Sequence, residues 1–156
     1  MIEQPFDIDS RYNKISGIMI LPGEGKRFPC AILSHGLVSS KESSKYTEVS
    51  RRFAEAGLAS CRFDYHGCGE SGGNIEDTSL TIRLGNLDAI TEYVMAHPSV
   101  DPGKIGIIGS SFGGSTALLK AAHDDRIKCL SLWATPYILE NKDDGNISDI
   151  QFKYTI

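Results

Sequence analysis

The stretch Gly109-Ser110-Ser111-Phe112-Gly113-Gly114 constrains the fold of this chain more than any other. It follows the apolar run Lys104-Ile105-Gly106-Ile107-Ile108 and precedes a helix-like run, Ser115-Thr116-Ala117-Leu118-Leu119-Lys120-Ala121-Ala122. A G-x-S-x-G between a buried strand and a helix is the nucleophile-elbow pattern. The turn is so tight that Ser111 must take a strained backbone conformation, and side chains two residues to either side would collide with it. Glycine is therefore needed at 109 and 113. In return the Ser111 hydroxyl stands clear at the end of the sheet. The N–H of Phe112 lies at a helix N-terminus, where an oxyanion is favoured.

Two plainer readings compete. Gly109 to Thr116 nearly spells a phosphate loop, but Ser115 stands where the lysine belongs, and the loop lacks the cation that holds the terminal phosphates. A glycine-softened strand-to-helix turn without chemistry is the other. The rest of the chain argues against it.

Its 156 residues suit one domain, residues 1–156, able to bury a core, with 40% hydrophobic and 23% charged residues. A net charge of −4 gives no reason to expect nucleic acid or an anionic membrane as partner. No apolar run approaches a membrane span, and Met1-Ile2-Glu3-Gln4-Pro5-Phe6-Asp7 lacks the features of a signal peptide, so a cytoplasmic location is expected. The four cysteines, 30, 61, 68 and 129, show no metal-ligand spacing, and neither metal nor organic cofactor is expected. Cys30, Cys61 and Cys129 fall in strand-like apolar runs and should be buried thiols, whereas Cys68 lies in a glycine-rich loop and should be exposed.

Strand-like and helix-like segments alternate. Residues 4–9 and 14–21 read as two strands, followed by a strand near 29–34 and a helix carrying Tyr46, Val49 and Phe53 that stops at Gly57. A strand over 58–64 leads into a polar loop, Tyr65 to Asp77. A longer helix from about Ser79 to His97 has Leu80, Leu84, Leu87, Ile90 and Val94 on one face, with Asp77 or Thr78 as its cap. Strand 104–108, helix 112–123 and strand 127–134 complete the order. Such alternation predicts an α/β fold, a mainly parallel sheet flanked by helices on both faces. In such sheets ligands bind at the carboxyl ends of the strands. His35-Gly36, the Asp64–Gly73 loop and Ser111 all lie there and should converge on one rim.

The His35-Gly36-Leu37-Val38 loop is placed to supply a second oxyanion donor, the N–H of Leu37, with glycine allowing close approach. The His35 side chain is better read as a buried group shaping this loop than as a proton carrier. Gly67-Cys68-Gly69-Glu70-Ser71-Gly72 matches a dinucleotide fingerprint, but Tyr65-His66 separate it from its strand and acidic residues follow it.

The ordered set of His35-Gly36-Leu37, Arg62-Phe63-Asp64-Tyr65-His66-Gly67-Cys68-Gly69-Glu70-Ser71 and Gly109-Ser110-Ser111-Phe112-Gly113-Gly114 resembles the α/β-hydrolase superfamily. It looks most like bacterial feruloyl and cinnamoyl esterases and related serine-peptidase-like hydrolases. The resemblance covers roughly residues 15 to 137. It implies the family fold truncated after about the sixth strand, a small-molecule acyl ester as substrate, and Ser111 as nucleophile. It also implies an acid and then a histidine after the serine. Only His123 follows, twelve residues along the same helix and so ~18 Å away. His66 is the other histidine near the rim. Asp124, Asp125, Glu140, Asp143, Asp144 and Asp149 follow the serine without a histidine to orient.

With no further strands beside it, 127–134 would be an apolar edge. The tail Ile147 to Tyr154 is expected to cover it, or two chains to pair there as a homodimer. The functional expectation is a serine hydrolase acting through an acyl-enzyme. Its rival is a non-catalytic protein of the same fold that binds or assembles.

Overall fold

The computed structural model describes residues 1–136 and the backbone of two short strands, Ile138–Asn141 and Ile150–Lys153. The elements run β1 (Ile2–Asp9), β2 (Lys14–Leu21), β3 (Phe28–Ser34), α1 (Ser44–Glu55), β4 (Ala59–Phe63), α2 (Leu80–Ala96), β5 (Val100–Ser110), α3 (Phe112–His123), β6 (Ile127–Trp133), β7 (Ile138–Asn141) and β8 (Ile150–Lys153). A single 3-10 turn, Ile75–Asp77, precedes α2.

Six strands form one sheet in the order β1-β2-β4-β3-β5-β6. The β4–β3, β3–β5 and β5–β6 pairings are parallel, while β1–β2 and β2–β4 are antiparallel. Strand alternation divides the core into two layers. Cys30 and Ile32 of β3 pack with Leu87, Ile90 and Val94 of α2 and Ala117 of α3. Their neighbours Ala31 and Leu33 face the other way, against Tyr46, Val49 and Phe53 of α1. The helices therefore cover both faces, as the β-α alternation requires. No helix among the described residues is long and apolar enough to cross a membrane.

Several local expectations are revised. The cap of α2 is Ser79, whose hydroxyl accepts the Ile82 N–H at 3.2 Å from an extended backbone. Thr78 is instead buried. The inward stripe of α2 is Arg83, Leu87, Ile90 and Val94, whereas Leu80 and Leu84 are only half-buried. β5 begins earlier than its apolar run, because Val100 already pairs with Phe28 before an irregularity that ends at Ile105.

The cysteine assignments exchange places. Cys68 is buried and directs its thiol toward the Leu37 carbonyl at 3.4 Å, and Cys129 is exposed. Cys129 lies on β6, which among the described residues pairs only with β5 and bounds the sheet. The expected covering of that edge by the tail is not what pairing shows. Strand Ile150–Lys153 joins Ile138–Asn141 in a separate antiparallel pair. The remaining tail residues and the carboxylates Asp143, Asp144 and Asp149 lie outside the described residues.

Candidate active site

At the carboxyl ends of the strands, the turn after β5 that carries Ser111 packs against the loop after β3, and the loop after β4 touches that loop through Tyr65 and Cys68. The backbone of Ser111 has φ 54° and ψ −127°, in a region that only strong surrounding constraint maintains for a non-glycine residue. That constraint is visible. The Ser111 N–H donates to the Trp133 carbonyl at 2.9 Å, extending the β5–β6 ladder to the turn itself. The Ser111 carbonyl then accepts the Gly114 N–H at 2.8 Å, opening α3.

The elbow glycines are required for a reason that differs slightly from the one the motif suggests. A Cβ at Gly109 would sit 2.5 Å from Gly114 Cα and 2.9 Å from Ala117 Cβ. One at Gly113 would fall on the carbonyl oxygens of Ser34 and His35. The collisions are with the first turn of α3 and with the end of β3, not with the serine side chain. Glycine lets the helix close on the strand. Ser34 strengthens this contact by donating its hydroxyl to the Gly113 carbonyl at 2.8 Å.

Gly36 lies against the serine. A Cβ there would be 3.4 Å from Ser111 Cβ and 3.9 Å from Ser111 Oγ, so the backbone preceding Leu37 borders the hydroxyl. Phe112, the first residue of α3, is buried, and Leu37 is half-buried in the turn after β3. The sequence-derived residues His35, Gly36, Leu37, Gly109, Ser111, Phe112 and Gly113 thus form one cluster.

His35 is fully buried within it. Its Nε2 accepts the Tyr65 N–H at 3.0 Å, so the proton resides on Nδ1, which donates to the Gly36 carbonyl at 2.7 Å. That carbonyl belongs to the same peptide plane as the Leu37 N–H. The imidazole therefore sets the direction in which the Leu37 amide points. Burial, aided by the nearby Arg83 cation, pushes the His35 pKa down to about 3. Because the folded value lies below the ordinary 6.5, the stability gained by a neutral His35 is complete above that pH and drains away as pH falls toward 3. The His35 ring protons are expected not to titrate by NMR over about pH 5 to 8. A midpoint near the ordinary imidazole value would refute the buried, neutral state assigned to His35.

The Asp64–Gly73 loop is built around a carboxylate. Asp64, fully buried, accepts the Lys41 N–H at 2.6 Å, the Lys41 ammonium at 2.9 Å and the Glu70 N–H at 3.0 Å. Gly69 packs directly against that carboxylate with φ 51°. Of the amides that made this segment look like a phosphate cradle, that of Glu70 is committed to the chain's own anion, and those of Gly67, Cys68, Ser71 and Gly72 donate to backbone carbonyls. Burial opposes the Lys41 charge, but its bonds to Glu70 and Asp64 more than offset this and raise its pKa.

The remaining histidines are placed as follows. His123 Nδ1 pairs with the Leu119 carbonyl near the far end of α3, at 2.9 Å. His97 pairs with Gln4 at 3.0 Å, beside β1. His66 is buried with its ring against Gly73, and neither ring nitrogen has a hydrogen-bond partner among the described residues. No group of side chains suited to a metal ion occurs among the described residues.

A model of the serine aminopeptidase S33 family of hydrolases matches residues 27–151. The chain belongs to this α/β-hydrolase family. The S33 chain is 30% identical over 128 residues to the quorum-quenching protein AidA of Acinetobacter baumannii, covering 80% of this chain and 42% of that protein. Among solved structures, Est1E of Butyrivibrio proteoclasticus with ferulic acid bound superposes with a TM-score of 0.75 at 31% identity, over 80% of this chain and 50% of the other. The α/β hydrolase GrgF of Penicillium sp. sh18 shares the fold, with a TM-score of 0.78 at 22% identity over 86% of this chain and 46% of GrgF. The chain spans about half the length of these relatives.

Sequence reasoning on this S33-family chain overlooked three cations at the candidate site. Lys45 donates to Ser110 Oγ at 2.8 Å and faces the Tyr46 ring at 4.6 Å. Lys41 neutralises Asp64. Arg83 reaches the His35 carbonyl from α2. Arg83 was detectable, since it stands four residues before Leu87 and seven before Ile90, on an otherwise apolar helix stripe.

Proposed function

We propose that this hydrolase acts on carboxylic esters or related acyl compounds through an acyl-enzyme on Ser111. The observation that carries the reading is the strained Ser111 backbone with Gly36 against its hydroxyl. In this mechanism Ser111 Oγ forms a bond to the acyl carbon, and the carbonyl oxygen takes up negative charge. The N–H groups of Leu37 and Phe112 stabilise that oxygen, each such donor being worth ~3 kcal/mol. The alcohol leaves with the proton that Ser111 Oγ gives up, and water then adds to the acyl carbon, releasing the acid and returning a proton to Ser111 Oγ. Ferulic acid in Est1E supports an aromatic acyl group as substrate. The mechanism uses no metal or organic cofactor.

One observation favours a second reading, a protein of this fold that binds without turnover. His35 is locked as a neutral loop-shaping group, and His97 and His123 have partners elsewhere. Loss of the base of a serine triad costs ~10⁶ in kcat. A fluorophosphonate probe separates the two. Covalent labelling is expected on the wild-type chain and is expected to vanish in Ser111→Ala. A folded wild-type chain that resists the probe would favour binding without catalysis.

A further inference from the structure

Helix α2 carries a cation into the core beside the site. Arg83 is fully buried, and its NH2 donates to the His35 carbonyl. Among the described residues its Nε and NH1 have no hydrogen-bond partner. The guanidinium carbon lies 3.5 Å from the centroid of the Tyr65 ring and 5.0 Å from that of Phe112. Burying a cation that makes so few hydrogen bonds is costly, and packing alone would be served better by leucine or methionine. The contacts show what the charge is set against. His35 begins the turn that presents Leu37, and Phe112 carries the other amide at the serine.

We propose that Arg83 is a positioning residue for the oxyanion site, one planar cation that fixes the His35–Leu37 turn and the Phe112 end of α3 together. The guanidinium holds the His35 carbonyl from behind while its face rests on Tyr65, whose N–H in turn holds the His35 ring. Both the peptide and the imidazole of His35 are therefore anchored, and the Gly36–Leu37 peptide follows. Its positive charge, in a water-excluded setting, also favours negative charge developing at the Leu37 and Phe112 amides. Lysine would keep the charge and one donor but lose the planar stacking. The chemical consequence rests on the acyl-transfer reading above; the positioning itself does not.

The test compares the wild-type chain with Arg83→Met and Arg83→Lys in two measurements. Amide NMR reads the turn directly. In Arg83→Met the resonances of Gly36, Leu37 and Phe112 are expected to shift while those of β1 and β2 stay in place. Phenylboronic acid reads the oxyanion site, because the serine oxygen donates a lone pair to boron, loses its proton to water and leaves a negatively charged tetrahedral adduct. Its affinity is expected to fall at least ~10-fold in Arg83→Met, with Arg83→Lys recovering part of the loss. Wild-type chain that does not bind the boronic acid, with the three amides still displaced in Arg83→Met, would overturn the acyl-transfer reading and support the positioning role. Unmoved amides in a folded Arg83→Met chain would overturn the positioning role even if the adduct forms. Unfolding of both variants would overturn it too, by showing that Arg83 serves the fold as a whole.

Discussion

Gly113→Ala is expected to destabilise the chain by at least ~3 kcal/mol, at the upper end of what overpacking a core costs. Helix propensity predicts the opposite sign, since alanine is favoured over glycine inside a helix by ~1 kcal/mol. The steric effect wins because the added methyl meets the carbonyl oxygens of Ser34 and His35, which are backbone atoms of β3 and its turn and cannot rotate away. Relief would require α3 to move off the sheet, and the strained Ser111 backbone would relax with it. Urea denaturation measures this as a lowered midpoint at unchanged m-value. Gly23→Ala supplies the control, because no atom lies within 4 Å of a Cβ there, and its effect should stay within about 0.5 kcal/mol. A Gly113→Ala chain as stable as the Gly23→Ala chain would contradict the packing described for the elbow.

Asp64→Ala is expected to cost about 3–5 kcal/mol, the range for removing one partner of a buried ion pair. Asp64 is fully buried and Lys41 nearly so. Without the carboxylate, the Lys41 ammonium retains, among the described residues, Glu70, whose side chain is 76% exposed. Two backbone amides, of Lys41 and Glu70, would also lose their acceptor. Asp64→Asn keeps an acceptor and the shape, so a smaller loss is expected. Thermal or urea unfolding of the two variants provides the comparison, and equal stability of Asp64→Ala and wild type would remove Asp64 from the framework of the rim. The loop also holds the thiol of Cys68 near the Leu37 carbonyl, so its collapse should reach the His35–Leu37 turn.

Much of this was legible in the chain as a string of residues. Period and punctuation located the strands and helices, with α3 bounded as expected at residues 112 and 123. Glycine at 109 and 113 flanking Ser111 announced a turn that only a tight strand-to-helix junction needs. Local rules also argue against both phosphate-binding readings, and the structure adds a physical detail to one of those arguments. In the Gly67–Gly72 loop the Glu70 amide serves Asp64, and the amides of Gly67, Cys68, Ser71 and Gly72 serve backbone carbonyls.

Other features were hidden because they arise between segments far apart in sequence. Exposure of Cys129 and burial of Cys68 follow from which strand bounds the sheet and which loop folds over it, and neither is a property of the flanking residues. The pairing of Ile150–Lys153 with Ile138–Asn141 depends on competition among strand edges that alternation alone cannot rank.

The sequence by itself determined the β-α order, the elbow and the set of loops that face one another, because these follow from side-chain periodicity and from where glycine is sterically unavoidable. Tertiary structure alone decided the protonation of His35, the anion inside the Asp64 loop and the placing of Arg83 behind the His35–Leu37 turn. Each of these depends on burial and on a partner 23 to 48 residues away, and the energy of a charge or a proton in a protein is fixed by what surrounds it in space.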